Sequence, residues 1–394
     1  MSLDEHLVHL AKKVGTPYYL IEHDAILKSF ASLREAFASF AGEVKITYAV
    51  KANPDTKVLR VFRELATLFD VLTPGEIDLL LSVEVSPEMI AYTSVSETYA
   101  EFRFAIKKGV RSFVIGSSSG LRELTRASSE SKITPKIALR VNPGLRARAN
   151  ISTSGKTSKF GVPISGKGSA SELVQILRQQ EGIDFVGLTF HLGTQVTNPS
   201  FYVEAIERVL RFTKTAGIGL KSFNIGGGFP VRYLRPVPAI EEFGSAITSS
   251  LNEWVKRIGT FGLIVEPGRY LVAESGLLVS SVTNIKEFND KRVAITDASY
   301  NQVPDVLLGQ HYPIRAISDG KKRRRYAIAG NLCDGNDWLE PKPILLPTLS
   351  NGDLIILQEV GAYSNAFRMN FCNAGVAPVI VKEKSGFKGP TQNR

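Results

Sequence analysis

Tyr48-Ala49-Val50-Lys51-Ala52-Asn53, closed by Pro54, carries a lysine at the end of an apolar, β-type run. Lysine is the side chain that forms Schiff bases, and the C-terminal end of a barrel strand is where such chemistry is housed. Working outward, short β-rich runs recur at 45–50, 68–72, 89–92, 112–115, 136–141, 185–191, 222–225 and 263–266. Stretches of helical periodicity lie between them, such as 54–65, 98–108, 171–180, 201–215 and 240–258. The pattern is that of repeated βα units around a parallel sheet, and eight runs predict a TIM-like (β/α)8 barrel of the α/β class. After Glu266 the pattern changes to β-rich runs at 277–285, 292–296, 326–329, 353–359 and 376–381, which read as a separate all-β domain. Residues 17–21 are also β-like and are expected to join that domain. The predicted division is a barrel over 25–272 and a β domain built from 1–24 and 273–394, packed together rather than tethered.

Composition narrows the function. At 394 residues, 43% hydrophobic and 22% charged, the chain is long enough for a barrel plus an appendage and ordinary for a soluble enzyme. No apolar run reaches membrane-spanning length, and Met1-Ser2-Leu3-Asp4-Glu5 lacks the basic flank and apolar stretch of a secretory signal, so a cytoplasmic address is expected. Cys333 and Cys372 are too few for a disulfide framework and have no metal-ligand spacing, so no metal is expected. The formal charge of +10 raises nucleic acid as a partner, but the run Lys321-Lys322-Arg323-Arg324-Arg325 stands without aromatic interleaving or a binding motif. It reads as a solvated loop or strand edge.

Polar or glycine residues cluster just after the barrel runs: Lys51, Asp70, Arg140, His191, Gly226-Gly227-Gly228, and Glu266 with Arg269. In a barrel these positions converge on one mouth. Three successive glycines let backbone N–H groups approach an anion, and the loops after strands seven and eight recurrently hold phosphate; a tight turn requiring positive φ is the plainer reading. The G-x-G-x-x-G spacing of a dinucleotide site is missing. Arg269 offers fork geometry for a second phosphate contact. Glu266 alone reads as a buried carboxylate paired with an arginine; beside a phosphate site and a Schiff-base lysine it reads better as the group that keeps a pyridine nitrogen protonated. His191 is either a core histidine or a ring stacked on a planar cofactor.

With these residues in place, the chain resembles the fold-type III pyridoxal-phosphate decarboxylases, the group of diaminopimelate, ornithine, lysine, arginine and carboxynorspermidine decarboxylases. The resemblance spans nearly the whole chain and rests on six motifs in order. They are Tyr48 to Asn53, His191-Leu192-Gly193-Thr194-Gln195, Gly226-Gly227-Gly228-Phe229, Glu266-Pro267-Gly268-Arg269, Cys333-Asp334-Gly335-Asn336-Asp337 and Gly361-Ala362-Tyr363. It implies that Lys51 holds pyridoxal 5'-phosphate as an internal aldimine, that His191 stacks on the ring and that Glu266 pairs with its nitrogen. Gly226, Gly227, Gly228, Arg269 and Tyr363 would take the phosphate. Asp70, Glu76 and Arg140 match positions lining the site, and Thr194 stands where the family usually has a serine. It further implies a homodimer in which Cys333 reaches the other subunit's barrel and returns a proton to the α-carbon after carbon dioxide leaves. Cys372 matches no motif and reads as a small core or surface thiol.

Substrate choice in the family depends on the segment after the ninth β run, here 297–314, and on the Cys333 motif. Pro304 stands where diaminopimelate decarboxylases carry an arginine, and Gly309 where diamine-producing enzymes place an aspartate. Asp334 resembles the acidic residue that holds a distal amine; with Tyr363 it is the expected substrate contact. Replacing a charged residue by glycine opens the pocket and weakens the hold on a free ammonium. The expectation is therefore a basic amino acid or a conjugate of one, such as an N-acyl or N-citryl ornithine of siderophore-type metabolism. Free ornithine, lysine or diaminopimelate is the alternative. Arg146 and Arg148 are either contacts for an acidic conjugate or solvated loop charges. A racemase would need a second general base facing Lys51, and a non-catalytic homologue would be expected to lose Lys51, Cys333 or the phosphate ligands.

Overall fold

The computed structural model describes residues 2–146, 151–289, 291–383 and 386–388, and Arg148 lies outside them. Two compact units divide the chain: Phe30–Pro230 with Val237–Tyr270, and Met1–Ser29 with Val231–Pro236 and Leu271–Arg394.

The first unit is a closed parallel barrel. Its strands follow one another around the ring as Val44–Ala49, Leu68–Val71, Ile90–Tyr92, Ser112–Ile115, Lys136–Asn142, Asp184–Thr189, Ser222–Asn224 and Gly262–Val265. Pairing of Leu263 with Val44 closes the ring. Each expected barrel run is one of these strands. Helices on the connections start at positions that satisfy their first N–H groups: Thr98 and Glu101 form a capping box ahead of Tyr99–Lys107, and the Asp55 side chain accepts from Lys57 N–H at the start of Thr56–Glu64. The parallel register is what gathers the site, because Ala49 faces Asp70 and Arg140 faces Thr189 across neighbouring strands. All eight strands therefore present their C-terminal ends on the same side.

The second unit is mostly β. Its sheet runs Trp338–Pro347, Arg323–Ala329, Lys291–Thr296, Gly276–Phe288, Tyr18–Glu22, Val379–Glu383 and Gly386–Lys388, with Leu354–Gln358 also pairing Gly276–Phe288 and Ile314–Ile317. The N-terminal strand joins as expected, antiparallel to one neighbour and parallel to the other. A helix, Leu3–Val14, precedes it and seats Leu7 and Leu10 in a core with Tyr18, Leu20, Leu277, Val279, Leu354, Ile356 and Ile380. Burying that leucine stripe contributes about 2 kcal/mol per side chain, more than twelve residues of isolated helix would supply in water. Within the basic run, Arg323, Arg324 and Arg325 form the exposed start of a strand. Consecutive strand residues point to opposite faces, so the three guanidinium groups do not form one patch.

Candidate active site

Lys51 sits in a 3-10 turn, Val50–Ala52, directly after the first barrel strand. The turn is fixed from below, since Tyr48 is fully buried, stacks on Phe62 with ring centroids 3.8 Å apart and donates from its hydroxyl to Asn53 O at 2.9 Å. The loop after the eighth strand fixes it from the side. Ala49 N–H donates to Pro267 O, and a Cβ on Gly268 would lie 2.9 Å from Ala52 Cβ, so small residues at 49, 52 and 268 let Glu266 and Lys51 share one mouth.

Lys51 Nζ lies 3.4 Å from Asp70 Oδ2. The aspartate side chain is 3% exposed, whereas the lysine is 40% exposed and open to a reacting group. Among the described residues Asp70 Oδ1 is buried with no hydrogen-bond partner. Glu76 turns its carboxylate back to Leu72 N–H at 2.6 Å, and burial raises its pKa, assisted by the Asp70 charge.

Glu266 lies opposite. Burial, together with the nearby Asp70 carboxylate, pushes its pKa up to about 7, against the opposing pull of Asn224, Lys51 and Arg140. Its Oε1 accepts from Asn224 Nδ2 at 2.6 Å, while Asn224 Oδ1 accepts from Gly226 N–H at 2.8 Å. Asn224 thus ties the carboxylate to the glycine loop. The sequence reading passes over it because it lies inside the β run; the one signal is a polar residue two positions ahead of three glycines.

The glycine loop cannot hold side chains. A Cβ on Gly227 would stand 2.0 Å from Glu266 O, and one on Gly228 2.2 Å from Gly193 O, while Gly226 and Gly228 have φ of +69° and +99°. Gly227 N–H donates to His191 Nδ1 at 3.2 Å, which leaves the proton of a neutral imidazole on Nε2. Burial, with Arg140 and Lys51 nearby, drives the His191 pKa well down, so the ring is neutral. The main chain holds it too: the Thr153 hydroxyl donates to His191 O at 3.0 Å. Arg269 Nε donates to Thr194 Oγ1 at 3.3 Å. The Arg140 guanidinium lies 4.8 Å from the Phe160 ring centroid, in the field of Glu266, Asp70 and Glu97.

Lys51, Asp70, Arg140, His191, Thr194, the glycine loop, Glu266 and Arg269 all belong to the barrel unit. Cys333, Asp334 and Tyr363 belong to the β unit. Cys333 is an exposed thiol on a loop that buried Asp337 organises by accepting from Leu332 N–H and Tyr300 N–H. Asp334 accepts from Asn336 N–H, from Asn336 Nδ2 and from the Tyr300 hydroxyl, the last at 2.9 Å. Tyr363 has a φ of +59° and packs against Phe367. Pro304 and Asp305 are buried in the 3-10 turn Pro304–Leu308, and Gly309 caps it in the left-handed region with open space around it. Cys372 is exposed, and Arg146 is exposed on the loop after the fifth barrel strand.

A lysine against a buried carboxylate, a glycine loop packed on a neutral histidine and a carboxyl with a raised pKa at one barrel mouth define an enzyme site built for an amine-reactive cofactor. Residues 23–273 match the family described as pyridoxal-dependent decarboxylase, pyridoxal binding domain. The chain is 29% identical over 383 residues to the diaminopimelate decarboxylase of Pseudomonas aeruginosa, covering 95% of this chain and 89% of that one. The crystal structure of diaminopimelate decarboxylase from M. jannaschii in co-complex with L-lysine superposes with a TM-score of 0.91 at 27% identity, covering 96% and 90% of the two chains. The lysine/ornithine decarboxylase of Vibrio vulnificus complexed with cadaverine gives 0.82 at 26% identity, covering 98% and 100%. The chain belongs to the pyridoxal-dependent decarboxylases, and its cofactor is pyridoxal phosphate. It is a carboxy-lyase. No helix among the described residues is long and apolar enough to cross a membrane.

Proposed function

We propose that this enzyme removes the α-carboxylate of a basic amino acid whose distal nitrogen is conjugated, as in an N-acyl or N-citryl ornithine of siderophore-type metabolism. The observation that carries the chemistry is Lys51 held against buried Asp70 at the mouth where Glu266 and the glycine loop meet. The residues fit the cofactor in three respects. The glycine loop lies so close to His191, Glu266 and Gly193 that no Cβ fits there, Asp70 keeps a buried oxygen without a partner among the described residues, and Glu266 has a pKa raised to where a carboxyl can share a proton with a pyridine nitrogen.

Lys51 Nζ would hold the cofactor covalently, and Gly228, Arg269 and Tyr363 its phosphate; Gly226 and Gly227, expected to share that contact, give their N–H groups to Asn224 and His191 and would shape the loop instead. His191, neutral and anchored at Nδ1, would present its face to the ring, with Asp70, Arg140 and Thr194 lining the site. Pyridoxal phosphate, when bound, supplies the electron sink that accepts the pair released as carbon dioxide departs. Cys333 Sγ would return the proton to the α-carbon from the other subunit of a homodimer.

The segment 297–314 supports the choice of a conjugate. Asp334 accepts three hydrogen bonds, including one from Tyr300, which favour its charged form and leave its carboxylate able to take a further N–H donor. Neither Pro304 nor Gly309 brings a charge for a free distal carboxylate or amine. A neutral, hydrogen-bonding amide suits such surroundings better. Borohydride reduction followed by peptide mass spectrometry tests the cofactor assignment. Pyridoxyl on the peptide carrying Lys51 is expected; label on another lysine, or none, contradicts it.

A further inference from the structure

The proposed chemistry assigns no work to Glu97, yet this residue is 9% exposed and its backbone is in the left-handed region at φ +50°. It lies in the loop between the third barrel strand, Ile90–Tyr92, and the helix Tyr99–Lys107. A non-glycine residue held in that conformation with a buried carboxylate persists only where its surroundings fix it. Here they do. Ser94 Oγ accepts from Glu97 N–H at 3.1 Å, and the carboxylate accepts from Gly116 N–H and from the Ser117 hydroxyl, both in the loop after the fourth strand. Gly120, in the first turn of the helix Ser118–Ser131, leaves room for it, since a Cβ there would stand 2.1 Å from Glu97 Oε2. Glu97 therefore locks the third loop to the fourth.

The lock reaches the site through contacts. Gly116 packs against Gly161, whose Cα and N would lie 3.4 Å from a Cβ on Gly116. Gly161, at φ +66°, is pressed to the backbone of Arg140, with 2.9 Å between its would-be Cβ and Arg140 O. Its neighbour Phe160 carries the ring 4.8 Å from the Arg140 guanidinium. Pairing of Val162 with Val141 holds this segment along the fifth strand. One carboxylate thus sets a chain from Gly116 to Gly161 to the aromatic face under Arg140.

We infer that Glu97 is a positioning residue, which fixes the Arg140 guanidinium against the Phe160 ring by clamping the third and fourth barrel loops against the Phe160–Gly161 segment. The inference rests on the reading of Arg140 as a residue of the cofactor site. Its test is a double-mutant cycle on the holoenzyme with Glu97→Gln, Arg140→Lys and the pair. The readouts are kcat/KM and the absorption maximum of the bound cofactor, and circular dichroism confirms that each variant is folded. Glu97→Gln should lower kcat/KM by about tenfold and move the absorption maximum in the same direction as Arg140→Lys, and the double variant should be no worse than Arg140→Lys alone. Additive losses, with Arg140→Lys itself impaired, overturn the inference and leave the reading of Arg140 standing. Arg140→Lys matching wild type in both readouts overturns that reading and the inference with it. If Glu97→Gln does not fold, Ser117→Ala, which removes one donor to the carboxylate, takes its place in the cycle with the same criteria and a loss of about threefold.

Discussion

The barrel mouth and the β-unit loops that carry Cys333, Asp334 and Tyr363 differ in how much of their hold comes from backbone and how much from side chains. At the mouth, functional groups are pinned by backbone: His191 by Gly227 N–H, Glu266 through Asn224 to Gly226, Lys51 by a turn packed on Gly268. In the β unit, side chains carry more of the hold, since Asp334 takes the Tyr300 hydroxyl and Asn336 Nδ2 beside the Asn336 N–H, and Phe367, Met369 and Phe371 stand exposed nearby in sequence to Tyr363. Backbone-pinned groups tolerate almost no substitution. Side-chain networks on loops are free to change, which suits the part of a family that differs in substrate. We propose that the cofactor's electron-sink chemistry is set in the first region, and that the second supplies the Cys333 proton and substrate choice.

The largest way to break that contrast is at Lys51. Lys51→Ala should cost at least about 10⁴-fold in kcat for every substrate alike, measured by carbon dioxide release. Cys333→Ala should cost about 10²-fold to 10⁴-fold, the range of a lost proton donor, and mixing it with the Lys51→Ala protein should restore activity if the two residues act across a subunit boundary. Gly227→Ala, which forces a Cβ to within 2.0 Å of Glu266 O, should destabilise the fold by about 1–3 kcal/mol and weaken cofactor binding, read by thermal unfolding and by absorbance titration. The smallest effect belongs to the β unit. Tyr300→Phe, which removes one donor from Asp334, should change the ratio of free to conjugated substrate turnover by about threefold to tenfold while leaving cofactor affinity intact.

The pH dependence sharpens the same contrast. Glu266 moves from the ordinary 4.5 to about 7 in the folded protein, so between these values the folded chain binds more protons than the unfolded one. Its contribution to the stability of the cofactor-free protein therefore falls as pH rises through that window and is level above about 7. Glu359, in the β unit, is also pushed to about 7 by burial and by Glu274, and adds a slope of the same sign. Glu266→Gln should flatten part of the decline in unfolding temperature between pH 5 and 7 and leave the Glu359 part, on the scale of the two pKa values.

The barrel was legible because its strands are short apolar runs and its polar groups follow them at once, a pattern that parallel register turns into a single mouth. Asn224 was not, because a strand residue and a site residue are indistinguishable when both lie in one run. Glu97 was hidden for a different reason: its burial is created by Gly116 and Gly120, which only the pairing of strands three and four brings beside it. The strand Trp338–Pro347 was concealed by Pro341, Pro343 and Pro347. It lies at the sheet edge, where a missing N–H removes no ladder bond. The helix Leu3–Val14 carries its own signal in the Ser2 and Glu5 capping box.

We propose that the loops around Asp334 favour a conjugated distal nitrogen in a substrate whose decarboxylation is set by the barrel. Carbon dioxide release from matched panels of free and N-acylated ornithine, lysine and diaminopimelate tests it most directly. The account predicts higher kcat/KM for an N-acylated or N-citrylated basic amino acid than for its free parent. Efficient turnover of a free parent, with the conjugates inert, would contradict it.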